Sequence, residues 1–424
     1  MEKNYHPLNY KNQKLHFDNV LIENIVQKYP TPFYLYSEQS LKHQYRSFEA
    51  AAKAAGIKNF LICYALKSNS NLQLLKILSS LGAGADIVSS GELKRSLEAS
   101  ITPDKIVFSG VGKTAAEIEE ALLCDPKGIQ AFNVESLEEL EEINQIASRL
   151  NKTARISFRL NPKVHAKTHR HISTGFKTHK FGLLQSDILK AIKQKKYWSH
   201  SKLVGLSVHI GSQLTELKAT KMALKKLMET AESCPPLEII DVGGGLGISY
   251  EHFKNKKIST MKNYMELVAE HVNQPFVSDK CKIVFEPGRI ISARSGAFIT
   301  KVLRTKMSEN CRFVIVDGGM NDFVRPSLYN AYHEIYSSKE YKKSKAHDLT
   351  DVVGPICETA DCFATKRLLP KLENGDFLAI ADTGAYGMSM ASNYNLRPRT
   401  QEILITEDGK QKLITQAENY QNLR

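Results

Sequence analysis

The hydrophobic pattern changes character once along the chain. From about residue 58, short runs rich in β-branched and aromatic residues alternate with stretches whose apolar positions recur every three or four residues. The runs are NFLICYALK, GADIVS, KIVFSG, IQAFNV, ARISFRLN, LVGLSVHIG, LEIIDVGGG and KIVFEPGR. Helical segments such as LLKILSSLG, AAEIEEALL and ESLEELEEINQIASRL lie between most neighbours. Nearly continuous apolar strands separated by amphipathic helices are the signature of parallel βα units, whose sheet is covered on both faces. Eight such runs in succession predict a (β/α)8 barrel.

After Arg289 the rhythm becomes strand, turn, strand: FITKVLRT, CRFVIVDGG, FLAIADTG and QEILITED follow one another without regular helices between them. A mainly β C-terminal domain is expected there. The first stretch of the chain, ending in TPFYLYS, has short strand signals of its own; it is grouped with the β domain, although composition does not decide the matter. The expected division is a barrel over 38–290 and a β domain built from 1–37 and 291–424.

Composition narrows the function classes. With 424 residues, 42% hydrophobic and 24% charged, the chain has an ordinary folded composition, which excludes disordered and low-complexity readings. No run approaches the ~18 apolar residues of a bilayer span, and the opening MEKNYHPLNYKNQKLHFDN has no apolar signal core. Seven cysteines without a C-x-x-C pair fit reduced thiols. A cytoplasmic protein without a membrane partner is therefore expected. Lys and Arg exceed Asp and Glu by 58 to 45, a net +13 that raises nucleic acid as a partner. The basic residues, however, are spread through segments such as KATKMALKKL and SSKEYKKSKAH, with no aromatic-interleaved stripe. Surface solvation or attraction of anionic substrates accounts for them, and no nucleic-acid partner is expected.

In a parallel barrel, chemistry sits on the loops that follow the C-terminal strand ends. The unusual residues fall there: Lys67 after the first run, Asn161 and Pro162 after the fifth, His209 after the sixth, Gly243, Gly244 and Gly245 after the seventh, and Glu286 to Arg289 after the eighth. A lysine at the end of an apolar run has its charge disfavoured by burial, which suits condensation with a carbonyl; taken alone, it is more often a strand-end residue reaching water. DVGGGLG lets backbone N–H groups approach an anion closely, but matches neither G-x-G-x-x-G nor the P-loop, which disfavours nicotinamide and ATP sites. From the glycines alone, a structural turn is an equal reading. His165, His169 and His171 in HAKTHRHIS lack the glutamate of H-E-x-x-H, so no metal site is expected.

Taken together, YALKSN, NPKVHAKTHRHISTGFKTHKFG, HIGSQ, DVGGGLG, EPGR, DGGMNDFVRPSLYNAYH, GPICETADC and DTGAYGMSMASNYN resemble, in the same order, the motif series of the diaminopimelate decarboxylases. The resemblance runs from TPFYLY to NYNLRPR, nearly the whole chain. It implies a pyridoxal 5'-phosphate enzyme with an alanine-racemase-type barrel and a β domain, working as a homodimer with active sites at the interface. Lys67 is then the residue that carries the cofactor, Glu286 the partner of its ring nitrogen, and His209 the side chain stacked on its ring. The phosphate falls to Gly243, Gly244 and Gly245 with the backbone of Gly288 and Arg289. Arg289, Arg325 and Tyr329 match positions that bind a distal carboxylate, for which guanidinium and phenol donors are apt. Glu358 matches the residue that meets the distal ammonium, and Tyr386 one that approaches cofactor and substrate. Cys357 matches the acid that returns a proton to the α-carbon, with Cys357 and Glu358 contributed by the second subunit.

The implied reaction is decarboxylation of meso-2,6-diaminopimelate to L-lysine and carbon dioxide, the last step of lysine synthesis by that route. Decarboxylases of ornithine, arginine or carboxynorspermidine share the fold; the ornithine enzymes do not show RPSLYNAYH at this place. A non-catalytic homologue would have lost Lys67 or Cys357, and both are present. Two departures stand out: Ser68 where alanine is usual, and ICETAD in place of CESGD, so that Ala360 stands at a usual glycine. Alanine lacks glycine's freedom at positive φ, and a slightly different turn is expected there.

Overall fold

The structure is a computed structural model that describes residues 5–164, 180–254, 257–309, 311–341 and 349–423. The histidine group His165, His169 and His171, and with it the segment between Val164 and Lys180, lies outside the described residues. Among the described residues no helix is long and apolar enough to cross a membrane. The chain forms two compact units: one of Tyr45–Ile248 and Lys257–Ile290, the other of Met1–Gln44, Ser249–Lys256 and Ile291–Arg424.

The first unit is a closed eight-stranded barrel. Its strands are β1 (Phe60–Ala65), β2 (Gly84–Ile87), β3 (Ile106–Phe108), β4 (Ala131–Val134), β5 (Ala154–Leu160), β6 (Ser201–Val208), β7 (Ile239–Asp241) and β8 (Lys282–Phe285). Each comes from one of the eight expected runs, neighbours pair in parallel, and β8 closes the ring on β1 with Val284 opposite Leu61. The helices that follow the first four strands are Leu72–Ser80, Ser90–Glu98, Ala115–Leu123 and Leu137–Arg149. Each starts where a short polar side chain, Asn71, Ser89, Thr114 or Ser136, accepts a first-turn backbone N–H. Their buried faces, for example Leu140, Ile143, Ile146 and Ala147, recur at helical spacing, and this holds them on the strands.

Leu61, Cys63, Val107, Ala131, Val204, Ile239 and Val284 pack into a single cluster. Side chains alternate along a strand, so the next position on the same face is two residues on. On five strands that position is polar: Asp86 beyond Gly84, Ser109 beyond Val107, Asn133 beyond Ala131, Asp241 beyond Ile239 and Glu286 beyond Val284. An apolar layer is thus followed by a polar one at the C-terminal strand ends.

The second unit is built on a nine-stranded sheet. Gly296–Ser308, thirteen residues long, pairs with Phe33–Ser37, Cys311–Val316 and Phe377–Ala381. Phe33–Ser37 also pairs in parallel with Gln401–Ile405, so the TPFYLYS segment lies inside this sheet and not beside it. The sequence pattern missed Ile335–Ser337, Leu349–Val353, Cys362–Leu368 and Gln411–Thr415. Cys362–Leu368 shows why: it reads CFATKRL and exposes its charged half, so no apolar run marks it.

Asp382, at the end of this unit's Phe377–Ala381 strand, is fully buried and joins two remote segments: His6 Nε2 lies 3.2 Å from one carboxylate oxygen and His252 Nε2 2.6 Å from the other. The N–H of Leu8 donates to His6 Nδ1 at 3.2 Å, which puts the His6 hydrogen on Nε2, facing the carboxylate. Burial pushes the Asp382 carboxyl up, but the two imidazoles outweigh it and hold it well below the usual range. A lowered carboxyl contributes stability above its unfolded pKa and loses it as the pH falls through the folded one. Asp382→Asn is expected to lower the unfolding free energy at pH 7 by about 2 kcal/mol. Urea unfolding at several pH values checks this, since the gap to the parent should shrink in strong acid.

Candidate active site

The polar layer of the barrel converges on Lys67. The lysine follows β1 in the short 3-10 turn Leu66–Ser68, and its Nζ lies 2.8 Å from Oδ2 of Asp86, the fully buried carboxylate of β2. Ser68, a departure from the usual alanine, spends its hydroxyl locally, bonding Ala65 O at 2.7 Å and Tyr64 Oη at 2.8 Å. Gly288 passes so close that a Cβ there would sit 3.0 Å from the Ser68 side chain.

Glu286 follows β8 and is 6% exposed. Its Oε1 accepts from Asn133 Nδ2 at 3.1 Å and Ser109 Oγ at 3.3 Å, while Oε2 lies 3.8 Å from His209 Nδ1. Asp241, the last residue of β7, accepts the Gly243 N–H at 2.8 Å. Burial pushes both acids up; Asp241 and Asp86 push Glu286 further, whereas at Asp241 its neighbours, among them the Gly243 N–H, offset part of the rise. The pair therefore retains a proton to higher pH than an exposed carboxyl does.

His209, just past β6, accepts the Gly244 N–H at Nδ1, 3.2 Å away. Burial, then the cations Lys67 and Arg159, pull its pKa well down, so the ring is neutral with its hydrogen on Nε2. The glycine run after β7 has no room for side chains. A Cβ on Gly243 would meet Val208 O at 2.2 Å, on Gly244 Glu286 O at 2.0 Å and on Gly245 Gly211 O at 2.2 Å. Gly243 and Gly245 also take positive φ, 69° and 101°. Arg289 is 5% exposed, with Nη2 3.1 Å from Ser212 Oγ. Asn161, past β5, spends its side-chain amide on Phe181 O at 3.1 Å. A separate cavity of about 670 Å³, lined by Asn59 and Cys281 among others, opens at the N-terminal ends of β1 and β8 and holds none of these groups.

Lys67, His209, Gly243, Gly244, Gly245, Glu286, Gly288 and Arg289 thus belong to the barrel unit. Sequence reasoning missed Asp86, Ser109, Asn133 and Asp241; their only signal was a polar residue on the inward phase of an otherwise apolar strand. The second unit carries the remaining expected residues. Arg325 and Tyr329 are the ends of one helical turn, Arg325–Tyr329. Cys357 and Glu358 are exposed on a turn held by buried Asp361, whose carboxylate accepts the N–H groups of Ile356 and Met320 at 2.7 Å each. Asn395 accepts the Cys357 N–H at 3.1 Å and Tyr394 donates to Glu358 at 3.4 Å. Neither Thr359 nor Ala360 takes positive φ, so the alanine strains nothing and the expected distortion has no cause. Tyr386 does take positive φ, 58°.

Residues 39–293 match the family described as "Pyridoxal-dependent decarboxylase, pyridoxal binding domain". The chain is 42% identical to a diaminopimelate decarboxylase of Aquifex aeolicus over 99% of this chain and 97% of that one. The crystal structure of diaminopimelate decarboxylase from Helicobacter pylori complexed with L-lysine superposes with a TM-score of 0.86 at 44% identity, covering 95% of this chain and 98% of the other. The enzyme from M. jannaschii in co-complex with L-lysine gives 0.90 at 36% identity, with 99% and 97% covered.

The raised carboxyl of Asp241 has a measurable consequence in the protein without ligands. A raised acid contributes stability that is fully present below its unfolded pKa and is lost as the pH rises through the folded one. Asp241→Asn retains an acceptor for Gly243 and removes one ionisable group. It should be more stable than the parent at pH 7 by about 1 to 2 kcal/mol, with the difference closing near pH 4. Denaturant titrations at the two pH values decide it.

Proposed function

This chain belongs to the diaminopimelate decarboxylase family of pyridoxal-dependent decarboxylases, and on that premise we propose that it converts meso-2,6-diaminopimelate to L-lysine and carbon dioxide. The observation that carries the chemistry is the convergence of Lys67, Asp86, His209 and the Asp241–Glu286 pair at one end of the barrel.

The residues present fit pyridoxal 5'-phosphate. Lys67 supplies an amine beside a carboxylate that can take up its proton. The side-chain-free run Gly243, Gly244 and Gly245, together with the backbone of Gly288 and Arg289, has the N–H donors and close approach that a phosphate needs. When bound, the cofactor supplies a conjugated ring that takes up the electron pair left by the departing α-carboxylate.

The remaining work falls to side chains. Lys67 would hold the cofactor. Glu286, whose carboxyl burial pushes up, would pair with the ring nitrogen of the bound cofactor. His209, held neutral, would pack on the ring without adding a competing charge. Arg325 and Tyr329, with Arg289, bind the distal carboxylate, Glu358 binds the distal ammonium, and Tyr386 approaches cofactor and substrate. Cys357 Sγ gives the proton that replaces the lost carboxylate at the α-carbon. Cys357 and Glu358 act from the second subunit of a homodimer, in keeping with their exposure on a turn fixed from behind by Asp361.

The test is to incubate the protein and pyridoxal 5'-phosphate with meso-diaminopimelate, L-ornithine or L-arginine separately and to identify the product by chiral chromatography. L-Lysine from the first alone is expected; absence of lysine overturns the reading. Lys67→Ala should abolish turnover and the visible absorbance of bound cofactor. Arg325→Ala should raise KM for diaminopimelate by roughly 10- to 100-fold, the loss of one charge-assisted contact.

A further inference from the structure

Arg325 poses a problem that Tyr329 does not: it is a guanidinium with 5% exposure. Five N–H donors that never lose their charge must find acceptors when buried, or the fold loses stability. Tyr250 Oη lies 3.1 Å from Nη1, with the guanidinium carbon 5.0 Å from the Tyr250 ring centre. His333 Nε2 lies 2.6 Å from the same Nη1. Segment 249–256 and residues 325–333 belong to the same unit.

The state of His333 follows from its two neighbours. Its Nδ1 is 2.7 Å from the carbonyl oxygen of Ala381. A carbonyl only accepts, so Nδ1 carries the hydrogen; a guanidinium only donates, so Nε2 presents its lone pair. Together they select a single tautomer of the neutral imidazole. The ring has no exposed surface and is wedged between aromatic neighbours, 4.6 Å from Tyr250 and 4.8 Å edge-on from Phe323, centre to centre. Neither rotation nor a ring flip is available without breaking a bond or a packing contact.

We infer that His333 is a positioning residue for substrate recognition: as a neutral imidazole fixed by Ala381, it orients the Arg325 guanidinium toward the distal carboxylate. The inference rests on the role proposed above for Arg325. A carboxylate prefers a planar, bidentate fork, and a guanidinium aligned before binding loses less freedom when the substrate arrives. The residue touches no substrate; it acts through Arg325.

Holoenzyme variants test this. His333→Phe fills the site without an acceptor, whereas His333→Gln restores a donor and an acceptor at about the imidazole spacing. KM for meso-diaminopimelate should rise roughly tenfold in the phenylalanine variant, with kcat nearly unchanged, and return toward the parent value in the glutamine variant. Inhibition by L-lysine, which keeps the distal carboxylate, should weaken in parallel, while inhibition by cadaverine, which lacks it, should not move. If His333→Phe does not fold, His333→Asn, which still donates to Ala381 and offers nothing to Arg325, replaces it with the same expectation. A fall in kcat at constant KM, equal shifts for lysine and cadaverine, or no recovery with glutamine would overturn the inference and leave His333 structural. If Arg325→Ala itself leaves KM unchanged, the assignment of Arg325 fails first and takes the inference with it.

Discussion

Confinement of charge at one end of the barrel governs the rest of that unit. Asp86, Asp241 and Glu286 are all at least 94% buried, and three ionised carboxylates cannot coexist at that depth without compensation. The structure compensates in three ways: Lys67 pairs with Asp86, burial raises Asp241 and Glu286 so that they hold protons more readily, and neutral donors from Asn133, Ser109 and the Gly243 backbone reach one oxygen of Glu286 and one of Asp241. His209 is kept neutral in the same field. Protonation states here are set jointly, and replacing a single member changes the others.

The second unit solves an equivalent problem with different means. Its buried ionisable groups serve as anchors for loops: Asp382 ties His6 and His252 together, Asp361 pins the turn that presents Cys357 and Glu358, and His333 fixes Arg325. In each case one rigid acceptor on or beside the sheet orders a segment that is irregular by itself. The exposed Cys357 and Glu358 owe their placement to a carboxylate three or four residues away that faces inward.

How legible these features were depended on burial. Barrel strands sit between core and helices, so both faces are apolar and eight runs could be counted directly. The sheet of the second unit has open faces, and strands such as Cys362–Leu368 and Leu349–Val353 carry charged or exposed positions that hide them. Lys67, His209, Glu286 and the glycines announced themselves because each interrupts an apolar strand at its end. Asp241 did not: it stands one residue before the glycines, yet a lone aspartate closing EIID reads as a strand terminus. His333 was hidden for a related reason, since nothing in YNAYH tells which ring nitrogen carries the hydrogen.

By itself the sequence determined the order of the strands and the family, because apolar runs, glycines and motif order are local properties of the chain. Only the tertiary structure decided which inward polar residues meet. Ring closure brings β8 beside β1, and so sets Glu286 against Ser109 and Asn133, 177 and 153 residues away along the chain. Protonation and tautomer follow from that meeting, since the charge a buried group keeps depends on its neighbours in space and not on those in sequence.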